Sequence, residues 1–86
     1  MNKYLAIGHD GDGMFVEQYK VEAFNAKGAL KQAMIQNNLD GGYDMKSAIR
    51  MAINDLWSFK RATCSTGKAW TGANESPFCH WIIIQR

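Results

Sequence analysis

Four consecutive apolar residues near the C-terminal end, Trp81-Ile82-Ile83-Ile84, set the strongest constraint on this chain. Successive side chains of a strand point to opposite faces, so a strand built on this run is apolar on both. Such a strand, predicted over residues 78–85, belongs at the centre of a sheet or has its second face covered. The rest of the 86 residues must supply that cover.

Upstream, residues 4–7 form a short apolar strand. It leads into Gly8-His9-Asp10-Gly11-Asp12-Gly13, whose glycines and aspartates suit a turn. Residues 14–24 then alternate, with Phe15, Tyr19, Val21 and Ala23 on one face and Gln18, Lys20 and Glu22 on the other. Glu17 breaks the apolar face near one end. These two segments predict a hairpin with a loop longer than the tightest kind.

The period then changes. Asn25 is a good N-cap for a helix whose stripe is Ala26, Ala29, Leu30, Ala33, Met34 and Asn37, stopped by Gly41-Gly42. Asp44 caps a second helix with Met45, Ala48, Ile49, Ala52, Ile53 and Leu56 as its core stripe, ending near Lys60-Arg61, where cations suit the negative end of the dipole. A Thr- and Ser-rich strand is expected over residues 63–70 and a polar loop over 71–77. The order β-β-α-α-β-β predicts an α+β fold, with a mainly antiparallel sheet and two helices packed on one face.

Length allows one domain, residues 1–86, burying roughly 60–65% of the surface that the unfolded chain exposes. Hydrophobic residues at 47% and charged residues at 21% exclude the disordered class, and a single proline, Pro77, excludes a linker. There is no apolar segment that would serve as a secretory signal or approach the roughly 20 residues of a membrane span. Two cysteines, Cys64 and Cys79, are too few for a disulfide scaffold; reduced thiols and a cytoplasmic location are expected.

No reactive constellation stands out. His9, Cys64, Cys79 and His80 lack the paired spacing of a zinc site, and Cys79 and His80, being adjacent, would face opposite ways on a strand. Asp10-Gly11-Asp12-Gly13 opens like a calcium loop, but the twelfth position is Val21 where a bidentate glutamate is required. Gly67-Lys68-Ala69 lacks the first glycine and the final hydroxyl of a phosphate loop. No enzyme, no metal and no cofactor are expected.

Two features point to binding instead. Residues 1–44 hold four lysines against six carboxylates, whereas residues 45–86 hold six cations against two carboxylates, so charge is lopsided although the net is only +2. Lys60, Arg61, Lys68 and Trp70 form a basic, aromatic neighbourhood suited to an acidic surface or to single-stranded nucleic acid. The acidic hairpin tip at His9, Asp10 and Asp12 is the second candidate contact. Met14, Ile35, Met51, Trp57 and Phe59 fall off the assigned stripes, and apolar residues left outside a core mark partner surfaces.

The strand Glu17-Gln18-Tyr19-Lys20-Val21-Glu22-Ala23, the alanine-rich helix of residues 26–33, and the polar loop before Pro77-Phe78 and the last strand together resemble small phage-encoded accessory proteins, among them anti-CRISPR proteins of the type I-E kind. The resemblance implies a protein of the host cell cytoplasm that inhibits a host protein or ribonucleoprotein complex by binding it. The alternatives are a nucleic-acid-binding accessory protein, and a homo-oligomeric structural or regulatory module joined through the strand edge at residues 81–84.

Overall fold

A computed structural model describes residues 1–10, 16–55, 58–62, 67–73 and 79–86. Its elements in chain order are β1 (Asn2–Asp10), β2 (Val16–Ala23), α1 (Ala26–Asp40), α2 (Met45–Asp55), β3 (Ser58–Ala62), β4 (Ala69–Ala73) and β5 (Cys79–Gln85). The strands form one antiparallel sheet in the order β2-β1-β5-β4-β3. The fold is α+β, with one strand more than the sequence predicts.

β5 takes the central position that its two apolar faces require. It pairs with β1 on one side and β4 on the other. Trp81 and Ile83 are buried on the helix-facing side, together with Tyr4 and Ala6 of β1 and Ala23 of β2. Ile82 and Ile84 project to the opposite face beside Leu5 and Ile7, where all four are half-buried. A run apolar at every position therefore fills one core and covers the centre of an open face.

Gly8 lies within β1 and is not a turn glycine. A Cβ there would stand 2.8 Å from the Cη2 and Cζ3 atoms of Trp81, so the indole rests on bare backbone. β1 continues through His9 and Asp10, paired with His80 and Cys79 of β5, where a turn was expected.

α1 lays Ala26, Ala29, Leu30, Ala33 and Met34 on the sheet, as its periodicity predicts. Asn25 accepts from the Gly28 N–H at 2.8 Å, and the chain leaves the helix through Gly42 at φ +99°, a left-handed conformation that favours glycine. The α1–α2 connection is pinned by Asn38, whose Nδ2 donates to the Ala48 carbonyl at 3.2 Å. Asp44 caps α2 by accepting from the Ser47 N–H at 2.8 Å.

Three expectations need correction. α2 ends at Asp55, and Lys60-Arg61 sit in β3 rather than in a helix terminus. Residues 58–62 pair with 69–73, and that long-range ladder overrides the local helical pattern. For the same reason Thr71, Gly72 and Ala73 lie in β4 and not in a loop. Lastly, Met45, Ile49 and Ile53 are 55%, 39% and 56% exposed, because α2 packs on α1 through Ala48 and Ala52.

The edges of the sheet follow from its register. The Arg86 N–H donates to the Lys3 carbonyl at 2.8 Å, so odd residues of β1 bond towards β5 and even ones towards β2. On β2, Glu17, Tyr19 and Val21 therefore face β1, whereas the amides and carbonyls of Gln18, Lys20 and Glu22 point out of the sheet. Gln32 of α1 donates from Nε2 to that outward Glu22 carbonyl at 3.2 Å.

Replacing Gly8 by Ala should force the indole off its seat, at a cost of about 1–3 kcal/mol. Ile83→Ala should cost about 2–5 kcal/mol. Ile82→Ala, on the half-buried face, should cost less. Chemical denaturation of the three variants measures the order, and a larger loss at Ile82 than at Ile83 would reverse the assignment of the two faces.

Candidate docking surface

Of the residues singled out as a basic, aromatic group, Arg61 and Trp70 stand opposite each other on one face of the sheet, and Lys60 turns to the other. Lys60 and Arg61 are successive residues of β3, so they project to opposite faces of the sheet. Both are exposed, as is Lys68, which precedes β4 and whose carbonyl accepts from the Gln85 N–H at 3.0 Å. Trp70 is packed against the core, edge-on to Tyr4 with centroids 6.1 Å apart and planes at 68°. A ring held this way is a structural aromatic rather than a stacking platform.

At the other candidate, His9 and Asp10 occupy the end of β1, opposite His80 and Cys79 of β5 respectively. Asp12 lies outside the described residues, as do Met14, Trp57 and Cys64. Among the described residues no three His, Cys, Asp or Glu side chains gather where they could hold a metal ion.

Of the remaining apolar residues suspected at a surface, Ile35 and Phe59 pack against the core and Met51 is half-buried. The exposed apolar surface is elsewhere. Met45, Ile49 and Ile53 recur every four residues and so form one row along α2, with the half-exposed Tyr43 just before the helix. Helical geometry gives the row two unlike flanks. Ala48 and Ala52, each one position back, turn towards α1, whereas Lys46 and Arg50, each one position on, line the outer flank and are exposed. Apolar periodicity placed this row on a helix face but could not tell which half of the stripe would meet α1.

A polar cluster closes the sheet beside α1. The Tyr19 hydroxyl lies 3.0 Å from Glu17 Oε2, 3.0 Å from Asp40 Oδ2 and 3.3 Å from Asn37 Oδ1. Burial, then the hydrogen bonds to the two carboxylates and their negative charge, hold this phenol far above its ordinary value. It is a proton donor that ties β2 to the end of α1, not a base or nucleophile at neutral pH.

No helix among the described residues is long and apolar enough to cross a membrane. No family model matches the chain, and no curated protein or solved structure does so either.

The raised phenol fixes the sign of a pH effect. Above pH ~10 the unfolded chain releases this proton while the folded chain keeps it, so the folded state binds more protons and loses stability as pH rises. Below that pH the contribution is fully present. Tyr19→Phe should therefore flatten the alkaline fall in stability, measured by urea denaturation between pH 8 and pH 11. An identical slope in both proteins would show that Tyr19 ionises normally.

Proposed function

We propose that this chain acts by docking on a larger host protein or ribonucleoprotein complex and blocking it, as expected of the type I-E anti-CRISPR proteins it resembles. The observation that carries this reading is the exposed row Met45, Ile49 and Ile53 on α2. Each of these side chains costs solvation in the free chain, and methionine and large aliphatic groups side by side suit the apolar centre of an interface.

The charge on the row's flank narrows the partner. Lys46 and Arg50 line one side only, so the complementary surface carries carboxylates or phosphates along one side of an apolar groove. A second copy fits poorly here. In an antiparallel two-fold pair of α2 helices like flanks meet, which sets Lys46 and Arg50 against their own counterparts.

Direct nucleic-acid binding is the weaker reading. Lys60 and Arg61 project to opposite faces of β3, and the proposed stacking ring, Trp70, although beside Arg61, packs against the core.

The reading is tested by expressing the chain in a bacterium with an active type I-E interference system and measuring phage plating. Plating should rise by orders of magnitude with the unaltered chain. It should return to the restricted level with I49E/I53E, although exposed substitutions leave stability within about 0.5 kcal/mol each. Full restriction in the presence of the unaltered chain would refute inhibition of that system. Inhibition undiminished in I49E/I53E would move the docking surface away from α2.

A further inference from the structure

The sheet has no free edge at β5, which is paired on both sides, so self-association through residues 81–84 is closed. Its free edges are β2 and β3, of 8 and 5 residues. β2 is the one prepared for a partner. The amides of Gln18, Lys20 and Glu22 and the carbonyls of Gln18 and Lys20 point outwards without a ladder. Beside them runs an open groove of about 590 Å³ between β2 and α1, lined by Tyr19, Val21, Gln32 and Gln36 among others, which the Gln32 side chain crosses to the Glu22 carbonyl. Met1 and Phe24, the most exposed large apolar residues described, at 75% and 79%, both lie by this strand. Asn2 Nδ2 donates to the Phe24 carbonyl at 3.2 Å, holding the two ends of the hairpin together.

The charge order along the edge selects the partner. Lysine on an edge strand ordinarily discourages pairing. Here Lys20 and Glu22 stand two residues apart on the same face, both exposed; Lys20 lies opposite Leu5 of β1, and Glu22 lies opposite Lys3. An antiparallel two-fold centred on Val21 brings Lys20 opposite Glu22 of the second copy, and Glu22 opposite its Lys20. In each of these pairs the Glu22 amide can donate to the Lys20 carbonyl. The Lys20 amide can donate to the Glu22 carbonyl, sharing it with Gln32 or displacing Gln32, and the paired charges are opposite. The same register sets Val21 against Val21 and Tyr19 against Ala23 on the helix-facing side. Shifting by one step puts Lys20 against Lys20; shifting the other way puts Glu22 against Glu22. Only one register satisfies both pairs.

We propose that β2 is a dimerisation edge, at which two copies join antiparallel about Val21 into one continuous sheet. The sequence Lys20-Val21-Glu22 is the recognition element, and it reads a second copy of itself. This association is independent of any partner docked on α2.

Sedimentation equilibrium of the full chain over a concentration series tests the proposal directly. The unaltered chain should sediment as a dimer at high micromolar concentration. K20E or E22K alone should weaken association about tenfold or more, because two complementary pairs become two like-charged ones. The double swap K20E/E22K recreates the complementarity in reverse and should restore association to within about threefold of the original. Amide hydrogen exchange gives a readout on the unaltered chain, whatever the variants' folding. Lys20 and Glu22 amides should gain protection with concentration, while Tyr19 and Val21 stay protected throughout. A chain that remains monomeric at every concentration overturns the proposal. So does a dimer indifferent to the single reversals, or one whose Lys20 and Glu22 amides exchange at the same rate at all concentrations.

Discussion

The fold is organised around an indole lying on a glycine. β1 runs between β2 and β5, and on its helix-facing side, beyond Tyr4, it sets Ala6 opposite the bulk of Tyr19 and Gly8 opposite that of Trp81. The two aromatic rings reach over this low strand and meet at 6.0 Å, tilted by 35°. Within the close packing of a small core, one added methyl group at Gly8 would occupy space already taken by Trp81. The seat fixes the register of β1 on β5, and with it the face to which every other residue of the two strands turns. It has one internal cost. Trp81 Nε1 is buried without a hydrogen-bond partner among the described residues, a loss of about 1–3 kcal/mol that the burial of the ring has to exceed.

With the aromatic rings spread over the sheet, the covering helix must be low-relief. α1 meets the sheet through Ala26, Ala29 and Ala33, with Leu30 and Met34 filling between them. Tyr19 then serves both layers: its ring belongs to the core, and its hydroxyl reaches Asn37 and Asp40 on the last turns of the helix. α2 adds to α1 through two alanines, Ala48 and Ala52, and through the Asn38 bond to the Ala48 carbonyl. The smallest dimension of the molecule is 20 Å, which leaves room for two layers of about 10 Å and no third. The apolar row of α2 and the face carrying Leu5, Ile7, Ile82 and Ile84 are what two layers leave uncovered.

This arrangement explains what could be read from the sequence. The α1 stripe, both helix caps and the central place of β5 were legible, because each rests on a local rule: period, side-chain oxygen before a helix, or apolarity on both faces. β3 was not, since Ser58-Phe59-Lys60-Arg61-Ala62 has little strand character of its own and exists through its pairing with β4. Gly8 read as a turn because the residue that needs its bare backbone is distant in sequence. The stripe on α2 was legible as apolar, but periodicity cannot distinguish a stripe buried in full from one of which only the alanine half finds a neighbour. The basic group was legible only in part for a related reason: adjacency in sequence brings charges together on a loop or helix end, whereas in a strand it sets Lys60 and Arg61 on opposite faces, and pairing leaves Arg61 alone beside Trp70.

The two surfaces proposed for association differ in chemistry and lie on different elements. β2 offers directional backbone groups and paired charges, which suit one partner in one register. The α2 row offers apolar side chains with a cationic flank, which suits a groove of opposite charge and tolerates variation in detail. α2 reaches the sheet mainly through α1, so a copy added at β2 leaves its row uncovered. A dimer joined at β2 would then present two such rows, related by the same two-fold. Against a target with repeated subunits, the second row would bind at the effective concentration set by the first, gaining avidity with no new contact. Against a target with a single groove it would gain nothing. The geometry of the edge therefore bears on which kind of complex a chain this small could hold, even where each individual contact is weak.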